Sequence, residues 1–409
     1  MRGERKEYKL KDVATILTGF PFKGNKYSDK GIRVLRGENV TIGNLRWDTI
    51  KCWNEPFQQT EKYSLKSGDI VIGMDGSRVG KNRAQIRNEE LPLLLAQRVA
   101  CVRNNGLSNQ DYLAHIIKSK PFEDYVSAVQ TGTSIPHISQ KQIEDFGLNL
   151  PPLPTQRRIA SILSSLDEKI ELNRQTNKTL ETITQALFKE WFVDFNFPGS
   201  TGEMMDSELG EIPKGWKVSN ISDLIDVRDG THDSPKSTNT GKRLVTSKHL
   251  REDGTIDFES ANYISEKDFN AINKRSKVDY LDIVYSMIGT IGNILIVGQQ
   301  VVDFAIKNIG LFKTSQSPEL AMFLNSHLRT EFSKRYFLER HSGSTQQYVT
   351  LKTLRDLPVI VPSIEVLISY NRIAFPIFQI LQNKNDEIQI LTQLRDTLLP
   401  NLMRGEIKF

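Results

Sequence analysis

The chain has 409 residues, too many for one ordinary domain and enough to bury two separate cores. Its 38% hydrophobic and 25% charged residues are normal for a soluble globular protein. A net charge of +5 tolerates nucleic acid as a partner without arguing for it, and Cys52 and Cys101 alone cannot build a disulfide framework or a cysteine-based metal cluster.

The start, Met1 to Glu7, is densely charged and contains no secretory apolar segment. No apolar run approaches the roughly 18 residues of a membrane helix, so a cytoplasmic protein without a membrane partner is expected. Residues 1–154 mix short β-rich runs (Ile32–Leu35, Asp69–Ile72, Arg98–Val102) with Gly, Asn and Pro punctuation. Short helices are predicted over Asn109–Lys118 and Pro121–Val129, which makes this segment an α+β domain. After Pro154 the period becomes helical. Ile159, Leu163, Leu166, Ile170, Asn173, Asn177, Leu180, Thr184, Leu187 and Trp191 fall on the a and d positions of a heptad. The spacing predicts a long helix within 155–195, of which residues 155–192 would span about 57 Å at 1.5 Å per residue. Residues 196–212 read as a linker, 213–362 as a second α+β domain and 363–409 as a distal helix.

The second half repeats the first. Thr131-Gly132-Thr133-Ser134 answers to Ser342-Gly343-Ser344-Thr345, Lys141 to Lys352, Asp145 to Asp356 and Pro151 to Pro362, each 211 residues apart. The strand-like runs ending in glycine, Gly68–Ser77 and Leu281–Thr290, are offset by 213. So long a period describes a whole domain plus its linker. Shifted by 211, the heptad predicts a partner helix through Tyr370, Ala374, Ile377, Leu381, Lys384, Ile388, Leu391, Arg395, Leu398 and Leu402, with Leu394 filling the stripe beside the arginine. Pro376 should kink or restart that helix. One such stripe alone could equally be a helix packed on its own domain. Two equivalent stripes favour an antiparallel intramolecular coiled coil, in which Asn173 and Asn177 either fix the register or are solvated. The predicted fold is therefore α+β: two similar domains separated by an antiparallel two-helix coiled coil.

No catalytic motif emerges. Gly76-Ser77-Arg78-Val79-Gly80-Lys81 fails as a phosphate loop, because Asp75 stands where its first glycine belongs and Asn82 follows the lysine. The six histidines form no i, i+4 metal pair beside a glutamate, and no nucleophile elbow occurs. What recurs in both halves is basic and polar loops. Lys23, Lys26, Arg33 and Arg36 are interleaved with Phe20, Phe22 and Tyr27, and Arg78, Lys81, Arg83 and Arg87 follow the glycine turn. The second half carries Arg228, Thr231, His232, Lys236, Lys242, Arg243, Lys248 and Arg251. Such clusters are either solvated surface or phosphate and base contacts. The candidate DNA-binding set is Lys23, Arg36, Arg78, Lys81, Arg83, Thr231, His232, Lys236 and Lys248.

Leu153-Pro154-Thr155-Gln156-Arg157-Arg158-Ile159-Ala160-Ser161-Ile162-Leu163 and Ala186-Leu187-Phe188-Lys189-Glu190-Trp191-Phe192 resemble the central conserved region of type I restriction-modification specificity subunits. The tail, Arg395 to Ile407, resembles the family's distal region, and Asp229–Lys236 and Ser286–Gly292 resemble pieces of its target-recognition domains. The resemblance covers essentially the whole chain. It implies a non-catalytic subunit whose two domains each read one half of a split, asymmetric site in double-stranded DNA. It also implies helices that dock two modification (methyltransferase) subunits, with Gln156, Arg157, Trp191, Phe192, Arg395 and Leu399 as candidate docking residues. S-adenosylmethionine would then be bound by those partners, and ATP with Mg by a restriction subunit where one joins. The competing readings are a coiled-coil adaptor holding two protein-binding domains and an unrecognised active site between the halves.

Overall fold

The computed structural model describes residues 6–56, 60–132, 134–343, 347–404 and 406. Met1 to Arg5, the repeat anchors Thr133, Ser344 and Thr345, and Gly405 and Ile407 of the tail lie outside the described residues. The chain divides into two compact units, Met1–Glu171 with Ile390–Phe409, and Leu172–Gln389.

In the first unit a five-stranded sheet runs in the order Ala14–Thr18, Val99–Asn104, Ile70–Gly73, Arg83–Gln85, Ile42–Gly43. A three-stranded sheet is ordered Cys52–Trp53, Ile32–Leu35, Leu93–Leu95, and Lys6–Lys9 pairs antiparallel with Gly147–Leu150. Ile70, Val71 and Ile72 are all fully buried, which explains an apolar run without alternation in a strand covered on both faces. The helix Gln110–Lys118 begins where the Asn109 side chain accepts a hydrogen bond from the Tyr112 amide, and Pro121 sits in the first turn of Lys120–Val129.

The second unit repeats this plan. Its four-stranded sheet is ordered Val227–Asp229, Ile309–Phe312, Ile283–Ser286, Ile294–Ile296, and its three-stranded sheet Asn262–Ile264, Lys242–Thr246, Phe304–Lys307. The repeat extends to the caps and the backbone. Ser139 caps Gln140–Glu144 and Thr350 caps Leu351–Arg355, each hydroxyl accepting from an amide three residues on. Gly76 and Gly289, 213 residues apart, both adopt left-handed backbone (φ +95° and +76°), as do Gly132 and Gly343 (φ +93° and +92°) at an offset of 211. Side chains rarely adopt that conformation, so these turns keep glycine in both copies.

Two long helices, Leu153–Phe192 and Ile364–Arg404, contribute to both units. In the first unit Ile159, Ala160 and Leu163 join Leu402 in the core, while Asp167 receives Arg395 at 2.9 Å. In the second, Trp191 and Phe192 pack on Tyr370 at ring separations of 5.9 and 4.9 Å, and Asn177 Nδ2 donates to Asn385 Oδ1 at 2.7 Å. Ascending one helix descends the other in each unit, so the pair is antiparallel. Of the two seam asparagines, Asn177 makes this inter-helix bond, whereas Asn173 is buried with its Nδ2 unpaired.

Four sequence expectations are corrected. The distal helix does not restart at Pro376 but is helical continuously from Ile364 to Arg404. The lost hydrogen bond costs about 3 kcal/mol, and it is offset where the flanking Ala374 and Phe378 are buried in the core. Leu394 does not fill the stripe: it is 44% exposed, and Arg395 takes the seam position itself. Residues 196–212 are not a bare linker. Met204–Ser207 pairs with Gly210–Pro213 in a hairpin, Ile212 is buried, and Phe197 stacks on Trp216 at 4.9 Å. Finally, the distal helix is by length and composition apolar enough to cross a membrane. Tyr370, Ala374 and Phe378 of that helix are core residues of the second unit.

Each unit also buries a histidine in the neutral form. Burial lowers the proton affinity of His327, whose ring nitrogen donates to the Pro358 carbonyl, to about 4. Burial and the nearby Lys118 ammonium lower that of His115, which faces Ser164. The unfolded chain titrates these groups near 6.5, so their contribution to stability is complete above that pH and is lost as pH falls from there toward 4, by up to about 1.4 kcal/mol per pH unit for each imidazole. Denaturant unfolding measured from pH 7.5 down to 5 should show this decline, and His327→Gln should remove one proton's share of it. A slope unaltered by the substitution would refute the buried neutral histidine.

Candidate nucleic-acid interface

In the first domain the candidate face is built by loops that the sheets bring together. The turn after Ile70–Gly73 hydrogen-bonds to the segment Thr131–His137: the Gly76 amide donates to the Pro136 carbonyl at 3.0 Å, and Asp75 and Thr131 both form β-bridges with His137. The turn Gly37–Asn39 lies against the same edge, since a Cβ built on Gly37 would stand 3.3 Å from the Asp75 carboxylate. Arg98 closes the group. Its carbonyl accepts from the Met74 amide at 2.9 Å, and its guanidinium donates to Asp75 at 3.3 Å. Arg98 is left-handed (φ +70°), a conformation that disfavours a side chain by about 1–2 kcal/mol. Its ion pair, with the arginine 63% exposed, returns at most about 1 kcal/mol. Stability therefore does not explain this arginine, and strain of this kind concentrates at functional positions.

The second domain uses the same scaffold with other side chains. Ile288 and Ser342 bridge to Tyr348 as Asp75 and Thr131 bridge to His137. Asn308, immediately before the strand Ile309–Phe312 as Arg98 is before Val99–Asn104, is also left-handed (φ +52°). Its carbonyl accepts from Ser247 Oγ at 2.8 Å, and its side chain meets His232 Nδ1 at 2.9 Å. His232 Nε2 lies 2.9 Å from the buried Asp229 carboxylate, which also receives Arg275.

The structure sorts the candidate residues. Lys23, Arg78, Lys236 and Lys248 are exposed. Lys81 is exposed with a loose 3.7 Å contact to Glu123, and Thr231 and His232 sit on the edge just described. Arg36 is half-buried, paired with Glu38, bonded to the Thr49 carbonyl and set over the Tyr27 ring at 5.7 Å, which leaves it little freedom. Arg83 is not on the face at all. At 7% exposure its guanidinium donates to the Gly80 and Lys118 carbonyls and pairs with Glu123. Arg87 reaches Glu171 on the long helix, and Arg243 lies 3.6 Å from the Tyr263 ring. The aromatics Phe20, Phe22 and Tyr27 belong with Trp53 to a small core, not to a stacking platform. Arg98 and Asn308 escaped the sequence reading, because only the folded backbone reveals their left-handed conformation.

Most candidate docking residues are likewise internal. Gln156 is 2% exposed, accepting from the Asn109 amide and donating to the Pro151 carbonyl, so it locks the helix start to the domain. Trp191 and Phe192 are core residues, Arg395 is held by Asp167 and Asp396, and Leu399 packs partly buried against the first core. Arg157 alone of the six is exposed. Among the described residues no group of three or more His, Cys, Asp or Glu side chains is arranged to hold a metal.

Comparison with known proteins agrees with this architecture. The family model for the type I restriction modification DNA specificity domain matches twice, over residues 3–182 and 213–398. The chain is 24% identical to the HindI specificity subunit of Haemophilus influenzae, covering 98% of this chain and 99% of that one. It is 27% identical to the MjaIX specificity subunit of Methanocaldococcus jannaschii, covering 73% and 69% respectively. The crystal structure of a type I S subunit from M. genitalium shares the fold, with a TM-score of 0.58 at 15% identity over 97% of this chain and 96% of that one.

The division between inner and outer arginines has a direct test. Arg83→Leu leaves the Gly80 and Lys118 carbonyls without their donor and removes one cation from Glu123, which keeps Lys120, and should lower stability by about 1–3 kcal/mol in chemical denaturation. Arg78→Ala should leave stability unchanged while weakening DNA binding by the assembled complex and reducing its salt slope by about one. A stable Arg83→Leu protein, or Arg78→Ala binding that matches wild type at every salt concentration, would contradict the sorting.

Proposed function

Because this chain belongs to the type I restriction-modification DNA specificity family, we propose that its two domains each read one half of a bipartite, asymmetric DNA site and that its helices dock two modification subunits. It is a DNA-specificity subunit. The observation that carries the two-reader model is one scaffold presented twice with different side chains: Asp75, Arg98 and His137 in one domain, Ile288, Asn308 and Tyr348 in the other. Identical readers would favour a palindrome; unlike readers on like backbones favour two different half-sites.

Lys23, Arg78 and Lys81 in the first domain and Lys236 and Lys248 in the second supply phosphate contacts, which position the protein without reading sequence. The residues at the loop edges then discriminate bases, each bidentate contact being worth about 1–3 kcal/mol. Methyl transfer to adenine and any cleavage belong to the partner subunits, which hold S-adenosylmethionine and, where DNA is cut, ATP and Mg. This chain's contribution is selection of the site. Family membership does not favour the adaptor alternative.

Docking of the modification subunits falls to the outer faces of the helices. In the second unit Leu172 and Ile183 are 56% and 47% exposed on one helix, and Ile373 and Ile380 are 44% exposed on the other. Apolar side chains at such exposure suit a protein partner.

Exchanging residues 1–150 for those of a family member with another specificity should change one half of the methylated motif and preserve the other, as read by single-molecule sequencing of host DNA. Change in both halves, or in neither, would rule out independent readers. Ile183→Asp and Ile380→Asp should reduce co-purification of the modification subunit at least tenfold with the melting temperature unchanged. Undiminished co-purification of both variants would move the docking face elsewhere.

A further inference from the structure

One position recurs in both domains, and the basic-loop pattern does not account for it. The residue immediately before Val99–Asn104 in the first domain, and before Ile309–Phe312 in the second, is a non-glycine held left-handed. Such a residue is uncommon, and its repetition in two copies whose side chains otherwise diverge marks the backbone geometry as the shared feature. In each domain hydrogen bonds hold the backbone of this residue. The Arg98 carbonyl accepts from Met74, whose own carbonyl accepts from Ile138. The Asn308 amide donates to the Thr231 carbonyl at 3.2 Å, and its carbonyl accepts from Ser247. Each side chain also has a partner: Asp75 accepts from Arg98 at 3.3 Å, and His232 meets Asn308 at 2.9 Å. Arg98 nonetheless stays 63% exposed, so its guanidinium is oriented but open.

We propose that this left-handed residue is the base-reading position of each domain, Arg98 contacting guanine and Asn308 contacting adenine. The inference rests on the DNA-reading role proposed above. The chemistry selects the bases. A guanidinium presents two parallel donors that match O6 and N7 of guanine in the major groove, and a carboxamide offers the donor and acceptor that match N7 and N6 of adenine. A phosphate contact needs only charge and tolerates a side chain without a fixed direction, which the exposed Lys236 and Lys248 can supply. Base readout needs a fixed direction, and the locked left-handed backbone supplies it. Asp75 is a positioning residue that holds the guanidinium fork in place.

The test uses the whole complex with its modification subunits and two glycine variants, because glycine adopts the left-handed backbone without strain and each variant should fold with a melting temperature at or near that of wild type. Arg98→Gly should make one guanine position degenerate in one half of the methylated motif, and Asn308→Gly one adenine position in the other half. Discrimination at that position should fall by about ten- to a hundredfold, with the salt slope of binding unchanged. An unaltered motif at full affinity in either variant overturns the assignment for that domain. So does a uniform loss of affinity across all sequences, accompanied for the cationic Arg98 by a salt slope reduced by about one, which is the signature of a phosphate contact. A wild-type complex that methylates no defined motif would instead sink the specificity role itself.

Discussion

Neither α+β domain closes its own core; the long helices do it for them. In the first unit Ile159, Ala160, Leu163 and Leu402 are built into the same cluster as the sheet residues Ile70, Ile72 and Ala100. In the second, Trp191, Phe192, Tyr370 and Phe378 share a cluster with Ile283, Phe312 and Phe323. A fully buried aromatic or aliphatic side chain contributes about 1.5–3 kcal/mol, so a helix with several of them is part of the domain. That constraint explains why Gln156 and Arg395 point inward. Gln156 ties the helix start to the Asn109 amide, where a short helix of the domain begins, and Arg395 joins helix to helix through Asp167.

With each core completed in this way, the loops at the sheet ends are released from structural duty. Their hydrogen bonds are largely backbone to backbone, as between Gly76 and Pro136 or Ser342 and Tyr348, so the geometry survives a change of side chain. This is the physical basis for one fold presenting Asp75, Arg98 and His137 in one copy and Ile288, Asn308 and Tyr348 in the other. Ser247, which holds the Asn308 carbonyl through its side chain, is buried and does not face outward.

The arginines show why a basic cluster in a sequence is a weak guide. Arg78 and Arg83 stand five residues apart in one cluster, yet the first is exposed while the second is enclosed by Gly80, Lys118 and Glu123. A guanidinium has five donors, and in a small α+β domain carbonyls at strand and helix ends are near enough to use them. Arg33, Arg243 and Arg355 each donate to a backbone carbonyl in the same manner.

The repeat offset, the heptad stripes, the α+β texture and the family membership were all legible in the order of residues, because periodicity and spacing are local properties that a chain states directly. Helix ends were legible where a capping side chain marks them, as at Asn109. The uninterrupted course through Pro376 was not, since packing of Ala374 and Phe378 outweighs a local preference. Nor could the sequence separate Arg83 from Arg78 or expose the left-handed Arg98 and Asn308. Burial and backbone dihedral angles depend on which distant segments meet, and only the tertiary structure decides that.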